Sequence, residues 1–301
     1  MTIEEITRSL TGRSTRPVMR MSRHYAAPPA DVWPALTQPD RLARWLGTVE
    51  GTIDGVGSTV SVRFADAPDL PAEARIVQCE PGERLVVSWH WQGEAASVVS
   101  MQLAPHGAGT TLTLEHRLGE PDHVAAYGGG WERCLAALTS LFGGTGAHEG
   151  DEAAASDRWR ALTRHPLSMG VDLGADPSTV WSALTTVEGL RSWWWSHWDD
   201  VEIAADVRPG GAYRFAAPGA GIAVEGRYLE VEDDEHLAFT WRWIDADGES
   251  ADEACDLTLA ATATGCRLEL RHTGPWGDAT PAESYRQGWG FVFAALGRAV
   301  A

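Results

Sequence analysis

Lysine and asparagine are absent from this chain, and all 24 of its basic residues are arginines. Without a lysine amine there is no Schiff-base chemistry, no pyridoxal catalysis and no P-loop. Cysteine is sparse: Cys79, Cys134, Cys255 and Cys266 form no C-x-x-C pair. That spacing supports neither a disulfide framework nor a cysteine metal site, and buried free thiols are expected. No apolar run reaches the ~18 residues of a membrane span. Residues 1–16 carry Glu4, Glu5, Arg8 and Arg13 where a signal peptide would be apolar, so a cytoplasmic protein is expected. The formal net charge of −18 is the wrong sign for nucleic acid or an anionic membrane surface, and neither is expected as a partner.

Tryptophan, by contrast, is abundant. There are 15, against 6 Phe and 5 Tyr, and ten of them lie at or beyond Trp159.

The chain also repeats itself. P-A-D-V-W-P-A-L-T from Pro29 returns as P-S-T-V-W-S-A-L-T from Pro177. Leu42 and Trp45 return as Leu190 and Trp193, and Arg63-Phe64 as Arg214-Phe215. Trp89-His90-Trp91 returns as Trp241-Arg242-Trp243, Leu114-x-His116 as Leu270-x-His272, and Gly130-Trp131 as Gly288-Trp289. The offset drifts from 148 to 158, as when loops gain residues and elements do not. A period of about 150 residues is a whole domain, not a solenoid repeat. The expected organisation is an extension over 1–16, one domain over 17–143, a linker over 144–160 and a second domain over 161–301. The linker rests on the Gly/Ala/acid-rich stretch from Gly143 to Asp157.

Each half opens on an alternating strand, Val18 to Tyr25 and Leu167 to Leu173. A helix follows. In the second half Asp176 is its N-cap and Pro177 its first residue. The first half has Ala27 at the cap position and Pro34 inside, so its helix is expected to kink or begin late. A run of strands joined by short turns then predicts an antiparallel meander. A closing helix ends each half, about Pro121 to Phe142 and Pro281 to Val300. Gly128-Gly129-Gly130 costs helix propensity, so the first closing helix is expected to begin near Trp131 behind a flap. The class is α+β, with helices on one face of a curled antiparallel sheet.

A-x-P-x-x-V-W-x-A-L-T, L-x-x-W, W-x-W, T-x-L-x-L-x-H and G-W-x-x-x-x-x-A-L, in that order, resemble the START-like (SRPBCC, helix-grip) superfamily. Within it the chain resembles the AHSA-like branch, named after the C-terminal domain of the heat-shock-chaperone ATPase activator. The resemblance covers about Met19 to Phe142 and again about Arg164 to Val300. It implies, twice in tandem, a sheet of about seven strands gripping a long C-terminal helix, with a cavity between them. The superfamily holds lipid and hormone carriers, polyketide cyclases, drug-sequestering proteins and co-chaperones, so the fold does not name the activity.

Strand alternation places Leu112, Leu114 and His116 on one face, and Cys266, Leu268, Leu270 and His272 on its counterpart. Each histidine is either a proton donor and acceptor at a pocket rim or an imidazole satisfied at a strand end. Trp89 and Trp241 read as core, whereas Trp91 and Trp243, at strand ends, read as lining a mouth. Tyr127 and Trp131, repeated as Tyr285 and Trp289, are at i and i+4 on the closing helix. Glu253 is in phase with Cys255 and Leu257; an inward carboxylate there needs a partner, and Arg214 or Arg227 cannot be assigned to its face. Trp193-Trp194-Trp195 has no counterpart in the first half. A helix cannot bury three successive tryptophans on one face, so at least one is expected to leave the core and meet a ligand, the other domain or another subunit. That puts Trp193 to Trp198 at a pocket, an interdomain contact or a homo-oligomer interface. His197 with Asp199 and Asp200 offers too few soft donors for a metal site. No metal or cofactor is expected.

The leading expectation is a non-enzymatic binder of a hydrophobic, aromatic small molecule. Its cavity would lie in the second half, lined by Trp193, Trp241, Trp243, His272, Tyr285 and Trp289, with Trp91 as the first-half counterpart. No catalytic residue is assigned. The rival is a cyclase, aromatase or hydrolase using His272 or His116 as acid/base and Tyr285 as a hydroxyl donor. A third class is a chaperone-associated interaction protein. The second half is expected to hold the larger pocket, while the first stabilises or covers it.

Overall fold

Two units make up the chain, one comprising Met1–Arg8 and Gly12–Arg160, the other Ser9–Thr11 and Ala161–Ala301. A computed structural model describes residues 6–65, 67–143 and 152–301.

Short alternating runs become strands, and turn-rich joints keep them antiparallel. In the first sheet these are β1 (Thr7–Arg13), β2 (Arg16–Tyr25), β3 (Thr48–Glu50), β4 (Thr59–Phe64), β5 (Ala67–Glu80), β6 (Arg84–His90), β7 (Ser97–His106) and β8 (Gly109–Arg117). Helices α1 (Pro29–Thr37) and α2 (Pro39–Leu42) interrupt them after β2, and α3 (Val124–Thr139) closes the set. The sheet order is β1-β2-β8-β7-β6-β5-β4-β3. Thus β2 pairs with the last strand in sequence, with Met21 opposite Leu114.

Helix α4 (Glu152–Arg164) leads to the second unit. There β9 (Leu167–Leu173), α5 (Pro177–Thr185), α6 (Val187–Trp193), β10 (Glu202–Ala205), β11 (Ala212–Ala217), β12 (Ile222–Glu232) and β13 (His236–Asp245) follow. After them come β14 (Gly248–Glu249), β15 (Glu253–Thr262), β16 (Gly265–Thr273) and the closing helix α7 (Thr280–Ala299). Read from β9, the strand order β10-β11-β12-β13-β15-β16-β9 matches the first sheet from β2 to β3, with no counterpart of β1 and with β14 appended to β13. Each unit is a helix-grip domain of α+β class.

Helix starts follow local chemistry. Asp176 accepts from the Thr179 backbone N–H at 2.9 Å, as an N-cap should. Pro28 precedes α1 with no side-chain cap, yet α1 begins at Pro29, in step with α5 at Pro177. Pro34 therefore delays nothing. The start is set by Pro29, whose fixed φ suits the first helical position, whereas Pro34 is the sixth residue and only removes one N–H from the helix's own ladder.

Gly128, Gly129 and Gly130 lie inside α3. The expected late start and flap do not occur, and the reason is α4. A Cβ on Gly128 would overlap the Trp159 ring, and one on Gly129 would meet Ser156 Oγ and the Glu152 carbonyl. The glycines lower helix propensity, but they let α4 approach the backbone of α3 closely. Residues 152–160, which the sequence places in a linker, are thus helical and packed. Trp159 is fully buried, and its indole N–H donates to Glu132 at 2.7 Å. Glu132 also accepts from Arg8 Nε at 2.6 Å and Arg158 Nη2 at 3.0 Å. The rest of the expected linker, 144–151, lies outside the described residues.

The second unit's core holds Trp193, Trp194 and Trp195, which are 1%, 4% and 7% exposed. The inference that one must leave the core is overturned. It assumed a helix through all three, but α6 ends at Trp193. Trp194 is extended (φ −70°, ψ 109°) and Trp195 takes a left-handed φ of 49°. Breaking the helical period lets successive rings point to different parts of one core. No helix among the described residues is long and apolar enough to cross a membrane.

Candidate ligand-binding site

Alternation on β13 sends Leu237, Phe239 and Trp241 inward, while the i, i+4 spacing on α7 brings Tyr285 and Trp289 to meet them. Between this helix and sheet lies a cavity of about 380 Å³. Trp194, Trp195, Trp241, Trp243 and Trp289 wall it, with Pro281, Ser284, Tyr285, Gly288 and Val292 completing the lining. Trp194 sits at the centre of the aromatic packing, its ring centroid 5.0 Å from Phe215, 5.6 Å from Trp289 and 6.1 Å from Trp241. Among the described residues Tyr285 is the one titratable side chain on this wall, and burial together with Glu253 raises the phenol's pKa well above its ordinary value, so the wall is uncharged at neutral pH.

Behind the wall is a polar network. Tyr285 donates its hydroxyl to Glu253 at 2.7 Å and accepts from Trp241 Nε1 at 3.3 Å. Glu253 also accepts from Trp276 Nε1 at 2.9 Å and Ser250 Oγ at 3.0 Å. His272 Nε2 lies 3.6 Å from the same carboxylate, and His272 Nδ1 accepts from Trp289 Nε1 at 3.3 Å. With Nδ1 an acceptor, the imidazole proton is on Nε2 and faces Glu253. Burial opposes charging of both groups. For Glu253 the surrounding donors outweigh it, so its carboxyl is held below the ordinary value. For His272 burial wins, and the ring is held neutral.

The first unit repeats the network with one exchange. Trp131 Nε1 donates to His116 Nδ1 at 3.1 Å, and Trp89 Nε1 to the Tyr127 hydroxyl at 3.2 Å. Ser97 pairs across the ladder with Trp89 as Glu253 does with Trp241. His116 Nε2 therefore meets Ser97 Oγ, at 2.8 Å, instead of a carboxylate. The carboxylate has moved three residues upstream: Tyr127 donates to Glu94 at 2.6 Å. Glu94 precedes Ser97 by the interval that separates Ser250 from Glu253. A second cavity, about 220 Å³, lies here, and its lining includes Phe64, Trp89, Trp91, Glu94, His123, Tyr127 and Trp131.

Of the residues expected to line the second-unit cavity, Trp241, Trp243, Tyr285 and Trp289 do so. Trp193 does not; its indole N–H is fixed to the Ala183 carbonyl at 2.9 Å, as Trp45 is to Ala35 at 2.8 Å in the first unit. That repeated L-x-x-W is core. His272 stands behind the wall and His116 behind the other, both with 0% exposure. Trp91 lines the first cavity, against Phe64 at 5.2 Å and 12°. Sequence reasoning offered the tryptophan run a pocket or an interface without naming Trp194 and Trp195 as walls. The signal was present as a tryptophan run without a first-half counterpart, but the helix end that aims them was not foreseen. Glu253 does point inward as its phase suggests, and its partners are Trp276, Tyr285, Ser250 and His272 instead of Arg214 or Arg227.

Glu230, Glu232 and His236 bring potential ligand atoms within 4.8 Å of one another on the second sheet. His236 Nε2 is already bonded to Asp256 at 3.0 Å. Burial opposes its charging, but that carboxylate outweighs it and raises its pKa. An ion-paired imidazole of this kind is a poor metal ligand.

A family model described as "Activator of Hsp90 ATPase homolog 1-like protein" matches residues 26–143 and 174–301. Among solved structures, CalU16 from Micromonospora echinospora is 28% identical over 53% of this chain and 99% of its own, with a TM-score of 0.46. DynU16, from the dynemicin biosynthetic locus, is 20% identical over 94% of this chain and 97% of its own, TM-score 0.39. Protein CV1439 from Chromobacterium violaceum is 29% identical over 45% of this chain and 97% of its own, TM-score 0.38. Among curated proteins none matches the sequence.

Proposed function

The chain belongs to the family described as Activator of Hsp90 ATPase homolog 1-like protein, and on that premise we propose that its second unit binds a neutral, aromatic small molecule without transforming it. The observation that carries this reading is the 380 Å³ cavity walled by five tryptophans and bearing no charged side chain. Its volume is within the ~300–1,000 Å³ typical of small-molecule sites, and its few polar groups are of the kind that orient a ligand. Trp194 Nε1 is buried and meets no acceptor among the described residues. It is sealed from the cavity, so a ligand oxygen would reach it only if the surrounding rings moved. Cys79, Cys134, Cys255 and Cys266 are all free, which fits a reducing, cytoplasmic setting.

Acid/base chemistry has less support. His116 and His272 are sealed behind the walls and each uses Nδ1 to accept from a tryptophan. Tyr285 is locked as donor to an ionised carboxylate, which opposes its acting as a general acid. The chaperone reading has only the family's description behind it.

The test is calorimetric titration of the full chain with 2-naphthol, a neutral fused ring with one hydroxyl. Saturable binding that Trp195→Ala and Trp243→Ala each weaken about tenfold or more is expected, since an aromatic contact contributes about 0.5–1.5 kcal/mol beyond the area buried. Unchanged affinity in both variants would refute the assignment. Turnover of the ligand would replace binding with catalysis.

A further inference from the structure

The two cavities differ in charge, and the exchange of serine and glutamate is the cause. In the second unit the carboxylate of Glu253 lies behind Tyr285, surrounded by donors, and the wall in front of it is neutral. In the first, Glu94 is itself part of the wall. It sits in the turn between β6 and β7, where its backbone N–H is held by the Trp91 carbonyl at 3.0 Å. Its side chain is 22% exposed.

Among the described residues its side-chain partners are the Tyr127 hydroxyl and the imidazole of His123, 3.5 Å away. Arg133 also borders the cavity, but it pairs with Glu152 at 2.7 Å, and that pair brings no net charge. Trp91, Phe64 and Tyr127 line the same cavity as Glu94. An anionic carboxylate beside several π-faces is the chemistry that recognises an organic cation. The protein's net charge of −18 raises the local concentration of such a ligand further.

We propose that the first unit's cavity is a second binding site, selective for a substituted ammonium held by Glu94 and the Phe64–Trp91 stack. This makes the first unit a site in its own right, beyond supporting or covering the second. The proposal rests on the preceding one only in taking these cavities as ligand sites; its residues and its probe are separate.

Choline and 3,3-dimethylbutan-1-ol have the same shape and differ by one charge, so their comparison isolates the electrostatic contribution. In calorimetry on the full chain, choline is expected to bind roughly tenfold tighter than the alcohol. Glu94→Gln keeps an acceptor for Tyr127 and removes only the charge. It should abolish the preference while leaving 2-naphthol binding unchanged. Trp91→Ala should weaken choline several-fold. Equal affinity for the two probes, choline affinity untouched by Glu94→Gln, or no saturable binding of choline at tens of millimolar would each overturn the proposal. Loss of 2-naphthol binding alone would overturn the second-unit reading and leave this one standing.

Discussion

Glu253 accepts the phenolic hydrogen of Tyr285 at 2.7 Å, placing an ionised carboxylate directly behind an apolar cavity wall. Its other donors, Trp276 and Ser250, leave it well satisfied. Glu253→Gln would put an amide N–H₂ among groups that are themselves donors. Hydrogen bonds to a charged group are each worth about 1.5–3 kcal/mol, so a loss of about 2 kcal/mol or more is expected in urea unfolding. The sign with pH follows from the lowered carboxyl. Its stabilisation is complete above the ordinary glutamate value of 4.5 and is lost as pH falls through the folded value. An unfolding free energy equal to wild type at neutral pH would show that this carboxyl is not charged.

His116 gives a second acid-sensitive element. Burial pushes its pKa down to about 3. The unfolded chain takes up this proton near 6.5, while the native protein refuses it until about 3. Stability should therefore fall as pH drops through that window, by up to ~1.4 kcal/mol per pH unit. His116→Gln, which offers one acceptor and one donor but does not titrate, should flatten the slope between pH 6.5 and 4. An unchanged slope would assign the acid sensitivity to other groups.

Much of this was legible in the sequence, and for identifiable reasons. The repeat, the strand alternation and the i, i+4 spacing of Tyr285 and Trp289 report on local geometry, so the two domains and four of the second cavity's walls follow from them. Asp176 announced its own helix. What stayed hidden depended on contacts made from far away in sequence. Trp159 makes helical sense of three glycines that propensity alone would reject. A left-handed Trp195 turns an impossible helix face into three buried rings. The swap of Glu94 and Ser97 relative to Ser250 and Glu253 can be seen in an alignment of the halves, but its meaning requires knowing that Tyr127 and Tyr285 both reach back to the carboxylate.

The glycines of α3 allow a paired test. Alanine normally favours helix over glycine by roughly 1 kcal/mol. At Gly130 a Cβ meets nothing within 4 Å, so Gly130→Ala should stabilise the first unit by about that amount. At Gly128 the same change collides with Trp159 and should destabilise, propensity notwithstanding. Denaturant melts of the two variants, run side by side, should move in opposite directions. A shared direction would mean that α4 does not rest on this face.

The packing of α4 also fixes where the first domain ends. Trp159 is fully buried and supplies one of the donors on Glu132, along with Arg158. A fragment ending at residue 143 would lose both and would uncover Gly128 and Gly129. We therefore place the boundary after Arg160, as the division of the chain into two units suggests. A fragment of residues 1–160 should fold, while one of residues 1–143 should be markedly less stable. In the full chain, Trp159→Ala should destabilise the first unit by about 3–5 kcal/mol, the range for removing a buried aromatic. If both fragments melted alike and Trp159→Ala were silent, α4 would belong to a linker after all.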